Sequence, residues 1–170
     1  MIAVECAVRF PERVSKLATL GSYAEGRSVR AGTAPDGGDV ILKIATEGWT
    51  TPDSAFMSGY MAVYFPTASQ NKLRRLAQNV QASCPVENEI AGRSFFNGHS
   101  VVPLLDQIDV PTLVMHCRED AVHPLSEGMK IACGIANAEL MILESRNHYP
   151  LPDEPAWQNM VDGLLEFLRR

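Results

Sequence analysis

The sequence predicts an α/β fold: about three parallel strands with flanking helices, and a helical insertion between the first strand and the second. Two observations carry this. Thr112–Met115 is a short apolar run that follows Pro111 and stops at a charged turn ending in Asp120. Ala138–Leu143 is a second strand-like run, and Asn147-His148 follows it, with His148 placed 28 residues after Asp120. An Asp and a His, each just past the C-terminal end of a strand, meet across the top of a parallel sheet. Together they form two members of a nucleophile–His–acid triad.

The elements follow in order. Met1–Phe10 has helical spacing, with Ile2, Cys6 and Phe10 on one side beside Ala3 and Ala7, and Pro11-Glu12-Arg13 ends it. Val14–Leu20 reads as a buried strand and Gly21 as its stop. Ser22–Asp39, rich in Gly, Arg, Ser and Ala, reads as a mobile connection. Val40–Gly48, Ser54–Tyr64, Ser69–Ser83 and Val86–Asn97 read as helices, and Val101–Ile108 as a short one. Ser69 is a good N-cap. Leu125–Ala136 is the next helix, with Leu125, Met129, Ala132 and Cys133 as its buried stripe and Ser126 as a candidate cap. Asp153-Glu154-Pro155 opens the last helix with an acidic N-cap and a first-turn proline. Trp157, Met160, Val161, Leu164, Leu165 and Leu168 are its expected apolar face. The domain reading is therefore a core of 1–21 and 109–170, with 22–108 as an inserted helical cap. Insertions of that size usually act as lids.

Composition narrows the function classes. The 170 residues are 46% hydrophobic and 21% charged, as in one globular domain. A net charge of −5 offers no basic footprint for nucleic acid. No apolar run approaches the ~20 residues that span a bilayer, so no membrane partner is expected. Met1–Val8 lacks a basic n-region and is interrupted by Glu5, so it does not read as a signal peptide. Cys6, Cys84, Cys117 and Cys133 are scattered without a CxxC pair, which points to free, buried thiols in a cytoplasmic protein.

Three stretches resemble the α/β-hydrolase family. Ala7-Val8-Arg9-Phe10-Pro11-Glu12-Arg13-Val14 resembles the end of the helix that follows the family's nucleophile elbow. Ile108 and Pro111-Thr112-Leu113-Val114, then His116, Asp120 and Pro124, resemble the strand and turn that carry the triad acid. Asn147-His148 with Asp153-Glu154-Pro155 resembles the triad His and the start of the last helix. The wording around Ser145-Arg146-Asn147-His148 is most similar to hydrolase-like domains attached to bacterial LuxR-type regulators and nucleotide cyclases. The resemblance implies catalytic roles for Asp120 and His148, a small ester or similar acyl substrate, and no cofactor. It also implies the C-terminal part of an α/β-hydrolase fold, because no G-x-S-x-G elbow occurs in the sequence. By the family pattern that serine falls about four residues before Met1, so a truncated chain, inactive alone, is expected.

In the expected chemistry, Asp120 accepts a hydrogen bond from one ring nitrogen of His148, and His148 takes the nucleophile's proton. Ser22, Cys6 and Cys117 are the other nucleophilic side chains near the expected sheet edge or core, and none lies on a strand-to-helix elbow. His116 and His123 flank Asp120 without a zinc-ligand pattern, so no metal is expected. Without its neighbouring strand, Val14–Leu20 becomes an open apolar edge, and a homo-oligomer through that edge is expected. The rival expectation is a non-catalytic module that binds a small ligand in a hydrolase-like fold.

Overall fold

The structure, a computed structural model, describes residues 1–32, 43 and 46–170. Its elements are α1 (Ile2–Arg9), a 3-10 turn (Pro11–Arg13), β1 (Leu17–Leu20), α2 (Arg27–Ala31), α3 (Ala55–Tyr64), α4 (Gln70–Ser83) and α5 (Val86–Asn97). A second 3-10 turn (Val102–Gln107), β2 (Thr112–Cys117), α6 (Leu125–Gly134), β3 (Ala138–Leu143) and α7 (Pro155–Arg169) complete them. The helix expected over Val40–Gly48 falls largely outside the described residues.

The chain divides into two compact units, Met1–Glu25 with Ser100–Arg170, and Gly26–His99. The inserted unit is therefore narrower at both ends than the 22–108 read from sequence. Residues 22–25 and the second 3-10 turn pack with the sheet, where Ala24, Val101, Leu105 and Ile108 are all buried in one cluster.

In the first unit a parallel sheet runs in the order β1-β2-β3. Leu17 pairs with Thr112, and Thr112 in turn with Ala138. Each parallel step needs a crossover, which α6 supplies between β2 and β3. Every residue of central β2 is buried, as befits a strand covered on both faces. On one face Val4 and Ala7 of α1 and Ile131 of α6 pack over Leu17 and Val114. On the other, Ala156, Met160 and Phe167 of α7 pack over Leu113, Met115 and Leu143.

Several local expectations are corrected. Strand β1 starts at Leu17, not Val14, because Val14–Lys16 is spent in leaving the 3-10 turn. Lys16 Nζ instead donates to the carbonyls of Phe167 and Leu168 at the end of α7, at 2.8 and 3.1 Å. Helix α1 turns Val4 and Ala7 inward, leaving Ile2 63% and Phe10 49% exposed, with Cys6 exposed between them. Helix α6 buries Glu127, Gly128 and Ile131, while Met129 and Cys133 are exposed, so its stripe is rotated from the expected one. Pro124, not Ser126, occupies its N-cap. On α7, Leu165 and Leu168 face out, and Phe167 takes the inward place. The 22–39 connection contains α2.

In the second unit, Ser69 caps α4 by accepting the Lys72 N–H at 3.4 Å. Trp49, Tyr60 and Phe65 are buried, whereas Phe56 is exposed. Trp49 Nε1 donates to the Cys84 carbonyl at 3.0 Å. Tyr60 is buried and its hydroxyl donates to Glu89 at 2.9 Å. No helix among the described residues is long and apolar enough to cross a membrane.

Candidate active site

The site forms where the three strands end. Strand β2 delivers Asp120, β3 delivers His148, and β1 delivers Gly21. The Asp120 turn is held by its own side chain. Oδ1 accepts the N–H groups of Val122 and His123 at 2.8 and 3.1 Å, an Asx-turn arrangement. This leaves Oδ2 aimed at the neighbouring strand end, where it accepts the Nδ1–H of His148 at 2.7 Å. Both side chains are buried, 0% exposed for Asp120 and 5% for His148.

The hydrogen bond fixes the tautomer. A carboxylate only accepts, so the proton on a neutral His148 ring sits on Nδ1, and Nε2 is the basic nitrogen. Burial works against the Asp120 anion. The hydrogen bond and charge of His148 and the N–H groups of His123 and Val122 outweigh it, and the carboxyl is held below its ordinary pKa. Asp120 therefore stays ionised at neutral pH, ready to stabilise an imidazolium.

Packing sets the ring's orientation. A β-carbon at Gly21 would lie 2.7 Å from Cε1 and 3.0 Å from Nδ1 of His148. Gly21 also has a φ of +59°, a left-handed conformation that suits glycine. Its N–H is anchored to the Met115 carbonyl at 3.0 Å, which ties the floor of the site to β2. Tyr149 lies over the ring at 4.1 Å between centroids, and His123 meets it edge-on at 5.4 Å. Tyr23, just past β1, stacks on His123 at 3.9 Å.

His116 buttresses the Asp120 turn. It is fully buried, and its Nε2–H donates to the His123 carbonyl at 2.9 Å, with Asp120 Oδ2 at 3.6 Å. The other ring nitrogen faces Gly128, where a β-carbon would approach to 2.7 Å. His123 is thus gripped through its N–H by Asp120 and through its carbonyl by His116. Among the described residues no group of three or more His, Cys, Asp or Glu is arranged to hold a metal.

Glu127 braces the opposite loop. It is 1% exposed, and its Oε2 accepts the N–H groups of Ala24 and Glu25 at 3.1 and 2.9 Å. Lys130 Nζ binds its other oxygen at 2.7 Å and Glu25 at 2.5 Å. The loop carrying Gly21 and Tyr23 is thereby fixed to α6.

Other nucleophile candidates fit less well. Cys117 is fully buried, and burial followed by the charge of Asp120 pushes its thiol up to about 12, so it stays protonated. Cys6 is exposed on α1. Ser22 follows Gly21 in a strand-to-loop turn, not in a strand-to-helix elbow.

An Asp–His pair across adjacent parallel strand ends, with a glycine floor and a helical insertion between β1 and β2, can be compared with known proteins. The esterase from Exiguobacterium antarcticum superposes with a TM-score of 0.77 at 20% identity, over 98% of this chain and 63% of that one. The chain has the α/β-hydrolase fold. Its part-length match fits the C-terminal portion of that fold. Two curated hydrolases are also similar in sequence. The 2-hydroxy-6-oxo-6-phenylhexa-2,4-dienoate hydrolase of Comamonas testosteroni is 25% identical over 174 aligned positions, 99% of this chain and 59% of that protein. The 2-hydroxy-6-oxononadienedioate/2-hydroxy-6-oxononatrienedioate hydrolase of Cupriavidus pinatubonensis is 27% identical over 155 positions, 86% of this chain and 52% of that protein. The chain thus spans between half and two-thirds of the length of these relatives. No family model matches.

Proposed function

We propose that this α/β-hydrolase-fold chain is the acid–base portion of a hydrolase acting on a small ester or similar acyl compound by a Ser-His-Asp mechanism. The observation that carries this reading is the 2.7 Å hydrogen bond from His148 Nδ1 to a buried, ionised Asp120. In the proposed cycle, His148 Nε2 takes the proton of a serine hydroxyl as the oxygen attacks the acyl carbon, and returns it to the leaving group. Water then repeats the sequence on the acyl-enzyme. Both curated relatives are named as hydrolases, which supports the class of reaction.

The sequence contains no G-x-S-x-G, so on this reading the nucleophile and the oxyanion-hole amides come from outside these 170 residues. The chain alone is then inactive, because His148 has no hydroxyl to activate. The inserted helical unit is read as a cap that gates substrate. Two surfaces support a neighbour beside β1: the strand lies at one edge of the sheet, and Ile2 on α1 and Phe10 at its C-cap are exposed. A second copy of the chain is the proposed occupant when nothing else pairs with that edge. No cofactor enters the scheme.

The absence of an elbow serine favours one rival, a regulatory module that binds a small ligand without turnover. Hydrolysis of an aryl acetate separates the two. Joined to an upstream segment that supplies the neighbouring strands, the oxyanion-hole loop and a serine elbow leading into α1, the chain is expected to hydrolyse the ester, and His148→Ala to abolish the gain. Saturable binding of an acyl ligand to the fused protein, without release of phenol, would support the rival.

A further inference from the structure

Glu154 stands where sequence reading places a helix cap, at the N-cap of α7, yet its side chain makes no capping hydrogen bond. It turns back into the loop that carries His148. Its Oε2 accepts the Ser145 hydroxyl at 2.5 Å. Its Oε1 accepts the Leu151 N–H at 2.8 Å and also the Asn147 side-chain amide. Ser145 Oγ in turn accepts the Asn147 N–H at 3.1 Å. Asn147 is 0% and Ser145 6% exposed, so both polar side chains need internal partners, and the Glu154 carboxylate supplies an acceptor to each. The Ser145 carbonyl also accepts the Glu119 N–H at 3.2 Å, which joins this loop to the turn of Asp120.

We propose that Glu154 is a positioning residue for His148. Its carboxylate gathers donors from residues 145, 147 and 151, on both sides of His148, and so sets the ring's distance and angle to Asp120. Three charge-assisted acceptor contacts from one rigid helix start hold the loop more firmly than neutral bonds. Glu154 makes no hydrogen bond to the His148 ring or to Asp120, so its effect passes through the loop that carries His148. This inference rests on the acid–base reading of Asp120 and His148 given above.

The test is proton and nitrogen NMR of the 170-residue chain, read at the His148 Nδ1–H. A proton in a short bond to a carboxylate resonates far downfield of the backbone amides, and Asp120→Asn identifies it by loss. Glu154→Gln keeps the shape and removes the charge. The expected result is loss of that resonance through faster exchange with water, while amides of the central strand β2 keep their positions. Ser145→Ala, which withdraws one donor and leaves the carboxylate, is the second variant should Glu154→Gln not fold, and it is expected to weaken the resonance in the same direction. An unchanged His148 resonance in these variants, even with a lowered melting temperature, overturns the positioning role and leaves the Asp120–His148 pair standing. Absence of the resonance from the unaltered chain overturns that pair, and the positioning role with it.

Discussion

The α-carbon of Gly21 is the floor on which the His148 imidazole lies: a single methyl at position 21 would sit 2.7 Å from Cε1 of the ring. The edge strand thus reaches the site through a backbone atom. Gly21→Ala adds about 1–2 kcal/mol of left-handed strain to about 1–3 kcal/mol of overpacking. Urea denaturation should show a loss of that combined size, and the His148 Nδ1–H resonance should shift. A variant as stable as the parent would show that the loop yields at no cost.

Acid should reveal the Asp120 contact. The carboxyl's pKa is held low in the folded chain, so the unfolded chain takes up the proton first as pH falls. The contribution is complete above the unfolded value, about 3.9, and disappears as pH drops through the folded one. Stability of the parent should therefore fall on acidification below about pH 4 more steeply than that of Asp120→Asn. Parallel stability–pH curves would contradict the assignment.

Glu127 should matter as an acceptor. Glu127→Ala orphans the buried N–H of Ala24 and the part-buried N–H of Glu25; a buried unsatisfied group costs about 1–3 kcal/mol, and a part-buried one that water reaches costs less. A loss of roughly 2–4 kcal/mol is expected, with Glu127→Gln losing less because it keeps one acceptor oxygen. Equal stability of the alanine variant in urea would show that water replaces the carboxylate.

The open edge of β1 should associate. Ala18 is exposed in the middle of that strand. Sedimentation velocity at micromolar concentration should show a dimer or larger species, and Ala18→Lys should shift it toward monomer. A monomer in the parent chain would sink the edge-pairing proposal.

Much of the fold was legible in sequence because its signals are local. The Ala138–Leu143 strand and the Val86–Asn97 helix were read with their observed bounds, the first as a short, mostly apolar run after Asn137 and the second as a segment bounded by Pro85 and Gly98. That Asp120 and His148 meet was legible because each sits just past a strand. The supporting residues were not, since each breaks a local rule for a tertiary reason. Glu127 is a charged residue on a buried helix face, so the period pointed to the wrong stripe of α6. Glu154 looked like a cap and serves a loop before it. Gly21 read as a strand stop, and nothing local tells that an imidazole rests on it. On α1 the Ile2–Cys6–Phe10 stripe is apolar and faces outward, so periodicity identified the helix and misplaced its buried side.

The most direct measurement is the intact mass of the polypeptide from its native source, before and after treatment with a fluorophosphonate that labels activated serines. A mass above 18.6 kDa and a single adduct are expected, and the His148→Ala variant of the same polypeptide is expected to form none. A native chain of 18.6 kDa that takes no label would contradict the hydrolase reading and leave the ligand-binding one.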